Sequence, residues 1–153
     1  MILAPDTNLL VYAQDAREPR KRELALQVVG AMNDVGSSLV GLQVVGEFNA
    51  VLVRRLKQPP ALACETVLAT LRMFATFGYT EADVHVALDL SARGVFSYWD
   101  GLLVASAARV GCTHLISEDM QDGFRFGELE IVSPFPNGRV APRLAELIGN
   151  GAG

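Results

Sequence analysis

A chain of 153 residues fits a single domain with a core of its own. Half of it is hydrophobic and a fifth charged, which excludes a disordered chain. No apolar run reaches membrane-span length, and the start lacks the basic, apolar and small-residue regions of a secretory signal, so a soluble, cytoplasmic protein is expected.

The net charge of −4 weighs against nucleic-acid binding only at first sight. Setting aside four clustered acids, argued below, leaves thirteen acidic residues against thirteen Lys and Arg. Two basic patches, Arg17, Arg20, Lys21 and Arg22, then Arg54, Arg55 and Lys57, are either phosphate contacts or solvated helix faces. Cys64 and Cys112 show no CxxC spacing and are expected as reduced, buried thiols.

In chain order, Ile2 to Pro5 reads as a strand and Thr7 to Ala13 as a helix with Asp6 at its N-cap. Pro19 opens a second helix, with Leu24, Ala25, Val28, Val29 and Met32 at helical spacing and Gly36 as its stop. Ser38 to Gly41 is a brief strand. From Leu42 to Leu56 apolar residues recur at 45, 48, 52 and 56, an amphipathic helix. Pro59 and Pro60 separate it from a helix over Ala61 to Phe77. Thr80 to Asp83 form a capping box for a helix ending near Gly94. Tyr98 to Val110 is a small-residue-rich helix closed by Gly111, Thr113 to Ser117 a strand, and Glu128 to Val132 the last one. From Ser133 the chain is rich in Pro, Gly and Asn, with one apolar turn at Leu144, Leu147 and Ile148 and a disordered GNGAG end. Short apolar strands alternating with helices predict an α/β fold around a parallel sheet. Its active site is expected at the carboxyl ends of the strands.

Asp6 and Asp119 fall just past strand ends, Asp100 at a helix start, and Glu47 within an apolar helical face. Singly, Asp6 and Asp100 could be helix caps and Asp119 a turn residue. Glu47 is harder to dismiss: its neighbours include Val44, Phe48 and Val51, and a carboxylate buried there needs a partner or a metal. Four carboxylates in one cleft repel one another unless a hard cation lies among them, which predicts Mg²⁺ or Mn²⁺. Such a centre suits phosphodiester hydrolysis, making a metal-dependent nuclease the leading reading.

Asp6-Thr7-Asn8, a mid-chain helical Glu47, Asp100 at a helix start and Ser117-Glu118-Asp119 after a late strand, in this order, resemble the PIN-domain ribonucleases. Within them they resemble the VapC-type toxins of toxin–antitoxin pairs. The resemblance runs from residue 6 to 119. It implies a single PIN-like domain over 1–135, with a short parallel sheet flanked by helices, and a C-terminal tail over 136–153. It places Asp6, Glu47, Asp100 and Asp119 around the metal as the catalytic set, with Thr7 and Asn8 beside Asp6 and Ser117 supporting Asp119. Asp122 is either a further acid at the rim or a turn residue. Glu118 competes with Asp119, and the Ser-x-Asp spacing favours Asp119. Pro5 departs from the pattern, since it removes a backbone donor in the strand.

The resemblance further implies an endoribonuclease cutting a structured tRNA or rRNA loop to 5′-phosphate and 3′-hydroxyl ends. Its partners would be a small cognate antitoxin and a second copy in a homodimer. Tyr98 and Trp99 beside Asp100 either stack a base or belong to the core. A non-catalytic PIN-like module that binds RNA or protein is the alternative. An aspartate-dependent phosphatase fits less well, because Asn8 stands where its second acid is needed. No phosphate-binding GxxxxGK loop or GxSxG elbow occurs, and His85 and His114 are far apart.

Overall fold

The computed structural model describes residues 1–150, and its architecture follows from three short apolar strands laid parallel. β1 (Leu3–Pro5) pairs with β4 (His114–Ile116), and β4 pairs with β6 (Leu129–Val132), all in parallel register. A two-residue strand that the sequence did not announce, β5 (Arg125–Phe126), adds antiparallel to β6, giving the order β1-β4-β6-β5. Burial of every residue of β1 and β6 explains their uniformly apolar reading, apart from Glu130. Pro5 is accommodated because β1 is an edge strand of this sheet. The Asp6 amide donates to the Ile116 carbonyl at 2.9 Å, so by alternation the missing donor of Pro5 faces away from β4.

Helices fill the connections. α1 (Thr7–Tyr12) starts directly after β1 with Asp6 as N-cap. α2 (Pro19–Val35) buries the five expected residues and ends at Gly36, whose φ of 71° is the left-handed conformation of a helix stop. β2 (Leu39–Gly41) runs without a loop into α3 (Leu42–Arg54), which buries Val44, Phe48 and Leu52. At that junction a Cβ on Gly41 would stand 3.2 Å from the Phe77 ring.

The next helix is shorter than the sequence suggested. α4 (Pro60–Met73) stops at Phe74, which is extended, and β3 (Ala75–Phe77) follows, pairing parallel with β2 as a separate two-stranded sheet. The apolar run is continuous here, so periodicity does not separate helix from strand. The aromatic and β-branched residues Phe74, Thr76 and Phe77 carry the strand preference. α5 (Glu81–Ala92) has its capping box in place, the Thr80 hydroxyl and the Asp83 carboxylate each taking the other's backbone amide. α6 (Tyr98–Arg109) buries every residue from Gly101 to Ala107 and packs on α5, where Gly101 lets the Ala87 backbone come close.

The segment read as a tail is ordered as far as described. After a short 3-10 turn at Pro136–Gly138, α7 (Pro142–Asn150) packs on α2 with Leu144 fully buried. Leu144, Leu147 and Ile148 are its apolar stripe, not an isolated turn. Of the GNGAG stretch, Gly149 and Asn150 close this helix, and 151–153 lie outside the described residues. Cys112 is buried, as expected, while Cys64 is exposed, because its side of α4 faces solvent. Among the described residues no helix is long and apolar enough to cross a membrane.

Candidate metal centre

Four segments distant in the chain meet at one cavity. β1 hands Asp6 to the carboxyl edge of the sheet, and β4, its neighbour, delivers Ser117 and Asp119 to the same edge. α3 contributes Glu47 from its second turn, and the first turn of α6 contributes Asp100. Asp6, Glu47, Asp100 and Asp119 line a cavity of about 360 Å³ together with Thr7 and Asn8, and Ala50 and Val51 complete its wall. The four acids that the sequence singled out therefore share one space.

The hydrogen bonds cross-brace these segments. Ser117 Oγ donates to Asp6 Oδ2 at 2.7 Å, and the Thr7 amide donates to Asp6 Oδ1 at 2.6 Å. Thr7 Oγ1 donates to Glu47 Oε2 at 2.7 Å, and Gln43 Nε2 donates to Glu47 Oε1 at 3.0 Å. The Asn8 side-chain amide donates to Asp119 Oδ2. Two sequence assignments change here. Ser117 braces Asp6, not Asp119, because adjacent parallel strands place it beside the end of β1. Only the backbone amide of Thr7 serves Asp6. Thr7 and Asn8 turn their side chains to Glu47 and Asp119, since both lie in the first turn of α1 and point off its axis in different directions. Gln43 was not anticipated; the signal was its position one helical turn before Glu47.

The remaining candidates separate cleanly. Glu118 points away and pairs with Lys21 at 2.8 Å; β4 has ended at Ile116 and the chain bends over 118–120. Asp122 is a turn residue: its carboxylate takes the Ser133 amide at 2.8 Å, and it does not line the cavity. Glu47 is half-buried and has the partners its apolar flank called for, the Thr7 hydroxyl from forty positions away and the Gln43 amide.

Charge treatment inside the cavity differs from that elsewhere. The buried acids outside it each have an arginine: Asp15 with Arg17, Asp83 with Arg109, Glu130 with Arg125 and Arg143. Within it, among the described residues, no carboxylate has a Lys, Arg or His partner, and every donor is neutral. Burial, then repulsion from Asp100 and Asp119, raises the Asp6 carboxyl to about 6 against the hydrogen bonds from Ser117 and Thr7. Burial also raises Asp100, with Asp119 and Glu47 adding to it and the Ser97 hydroxyl opposing it.

This donor set fits a hard divalent cation: oxygen ligands only, excess negative charge and no competing side-chain cation. Among the described residues, however, no three acidic, His or Cys side chains stand grouped closely enough to hold an ion as they lie.

No family model matches the chain, and no curated protein sequence matches it. Solved structures do. The fold is similar to that of VapBC2 from Rickettsia felis, in a crystal structure bound to a DNA fragment from their promoter. There the TM-score is 0.57 and the identity 15%, covering 86% of this chain and 97% of that one. It is also similar to Mycobacterium tuberculosis VapC20, a Sarcin-Ricin loop cleaving toxin, with a TM-score of 0.55 and 17% identity, covering 84% of this chain and 98% of that one. The likeness carries the fold alone: an α/β domain in which helices flank a short, mainly parallel sheet.

Proposed function

We propose that the chain is a divalent-metal-dependent endoribonuclease, the toxin of a VapBC-type pair. The observation that carries this reading is the contrast just described: every buried acid outside the cavity has an arginine, whereas Asp6, the buried acid inside it, has only a hydroxyl and a backbone amide, and among the described residues no cation pairs with Glu47, Asp100 or Asp119 beside it. A site kept negative at that cost suits a cation brought from solution. The fold shared with toxins, one of them described as cleaving the Sarcin-Ricin loop, supports RNA as substrate.

In this reading Asp6, Glu47, Asp100 and Asp119 would hold Mg²⁺ or Mn²⁺. Bound there, the ion would supply Lewis-acid stabilisation of the phosphate and a lowered pKa for water. The protein's part is positional and electrostatic. Ser117 and the Thr7 amide hold both oxygens of Asp6 at the end of β1, so its carboxylate does not rotate into the core. Thr7 and Gln43 fix Glu47 from two sides, and Asn8 fixes Asp119. Hydroxyls and amides set geometry without neutralising charge, which an arginine would do. The uncompensated cavity repels phosphate until a cation enters, and below about pH 6 the cation must compete with a proton for Asp6.

The further parts of the reading are a structured tRNA or rRNA loop as target, a small antitoxin as partner, a homodimer, a cytoplasmic location, and a nuclease unit over 1–135. A second reading, a non-catalytic module binding RNA or protein, draws on the spread of the four carboxylates. Cleavage of a mixed RNA pool by wild type and Asp100→Asn, with Mg²⁺, Mn²⁺ or EDTA, decides between them. Metal-dependent cutting that falls at least about a hundredfold in the variant is expected, the scale of losing one essential charged group. Equal cutting by both proteins refutes the assigned site, and RNA binding without cutting by either gives the chain to the second reading.

A further inference from the structure

A groove of about 780 Å³ lies next to the acidic cavity, and its chemistry is of another kind. The two adjoin at Glu47, which lines both. Leu42, Gly46, Tyr79 and Trp99 make the groove's walls apolar and aromatic. Trp99 is 57% exposed and Tyr79 52%, so neither ring is spent on the core. The aromatic pair at the start of α6 is thus divided: Tyr98 is half-buried and meets the Trp99 ring edge-on at 5.0 Å, leaving Trp99 in the groove.

Gln43 supplies a second, independent feature. Its Nε2 donates to Glu47 Oε1 at 3.0 Å and to the Trp99 carbonyl at 2.9 Å. Both partners are acceptors, which fixes the orientation of the amide. Its Oε1 is then left with no protein donor, on a residue that lines the groove. Such an acceptor calls for a donor from outside the chain, and an N–H of a ligand in the groove can supply it where a water would otherwise stand. Gly46 adds space: a Cβ there would meet nothing within 4 Å, so the helix backbone is open to a flat group lying against it.

We infer that this groove binds an unpaired nucleobase of single-stranded RNA next to the bond cut at the acidic cavity, stacked on Trp99 and Tyr79 with an N–H of its edge donated to Gln43 Oε1. The inference rests on the nuclease reading above. A base fits where a phosphate does not: it is neutral, so Glu47 does not repel it, and its faces suit aromatic rings. The amide of Gln43 then links the two cavities, since one side chain orients Glu47, anchors the start of α6 ahead of Asp100 and reads the base edge.

The chain has a single tryptophan, so its emission reports the groove directly. A hexameric adenylate RNA and an abasic ribose-phosphate hexamer of equal charge are mixed with the wild type and with Gly46→Leu in Mg²⁺. Emission is followed in the first seconds. The adenylate is expected to quench Trp99 and the abasic hexamer to leave it unchanged. Gly46→Leu, whose Cβ meets nothing within 4 Å and whose side chain occupies the groove, is expected to weaken adenylate binding at least about fivefold, the low end of one lost base stack. Its melting temperature is expected not to fall, since leucine replaces a glycine inside α3, and the stabilisation it gains from Mg²⁺ to stay as in the wild type. Equal affinity for the two hexamers, or undiminished binding by Gly46→Leu, overturns the base site while metal-dependent cleavage of RNA stands. Quenching that follows protein concentration alone assigns the groove to a second copy of the chain and also overturns it. Absence of both binding and cleavage in the wild type removes the nuclease reading itself.

Discussion

In the metal-free protein, replacing Asp6 by asparagine is expected to stabilise the fold at pH 8. Burial first, and then Asp100 and Asp119, keep the proton on Asp6 up to about pH 6 in the folded chain, against an ordinary value of 3.8. Between those values the folded chain binds more protons than the unfolded one, so stability falls as pH rises through the window, and the loss is complete above about 6. The gap corresponds to about 3 kcal/mol, an upper figure for what asparagine, which carries no charge, would recover. For a chain of this size that is a rise in Tm of roughly 6–12 °C at pH 8. Near pH 4 the same substitution is worth less than about 1 kcal/mol, because the carboxyl is mostly neutral in the folded state. Asparagine keeps the N-cap, since it can accept from the Thr7 amide as Asp6 does. Thermal unfolding of both proteins in EDTA across pH 4 to 8 is the assay. A Tm difference that does not grow with pH refutes the argument that Asp6 is a buried, uncompensated charge. Saturating Mg²⁺ should then reverse the order by stabilising the wild type alone.

Thr7→Val removes the hydroxyl that holds Glu47 and keeps the shape of a buried helix residue. Mg²⁺ affinity, read by calorimetry, should fall about 10- to 100-fold with little change in metal-free Tm. Glu130→Gln breaks a buried charge shared by Arg125 on β5 and Arg143 on α7. A loss of about 1–3 kcal/mol and faster proteolysis within α7 are expected. The Arg143 partnership holds Glu130 below its ordinary 4.5, so its contribution is present above that value and disappears as pH falls through the lowered one. The variant should therefore lack part of the wild type's acid unfolding, visible by circular dichroism. Gly101→Leu places a large side chain against Ala87 where α5 and α6 touch. It should cost about 1–3 kcal/mol in denaturant unfolding and also lower cleavage, since the strain lies one residue from Asp100.

Local signals in the sequence correspond well to the elements they mark. Asp6 as N-cap, Pro19 and Gly36 at the ends of α2, and the Thr80–Asp83 capping box stand where expected. These features are decided by a residue and its near neighbours, so a single sequence carries them. What was missed depends on tertiary context. β3 hides in an apolar run because pairing with β2, not periodicity, makes it a strand. β5 has two residues and exists through β6. α7 is strongly amphipathic, yet its surroundings of Pro and Gly concealed a helix that α2 stabilises. At the site, the positions of Asp6, Asp100 and Asp119 at element ends were legible from strand and helix boundaries. Which neutral group braces which acid was not, because the Ser117–Asp6 and Asn8–Asp119 bonds each join residues 111 positions apart.

That long-range bracing bears on why isolated readings of each acid fail. Asp6 does cap α1 with its carboxylate, whereas Asp100 meets the Ser97 hydroxyl through its backbone amide, which any residue there would supply. Capping needs one oxygen of a carboxylate, and asparagine or serine performs it as well without the burial penalty. The penalty is visible at Asp6, which is buried beside two further acids and given hydroxyl and amide donors where Asp15, Asp83 and Glu130 were given arginines. Capping accounts for an acid at Asp6 taken alone. It does not account for four acids around one cavity with every partner neutral, and a cation drawn in from outside does.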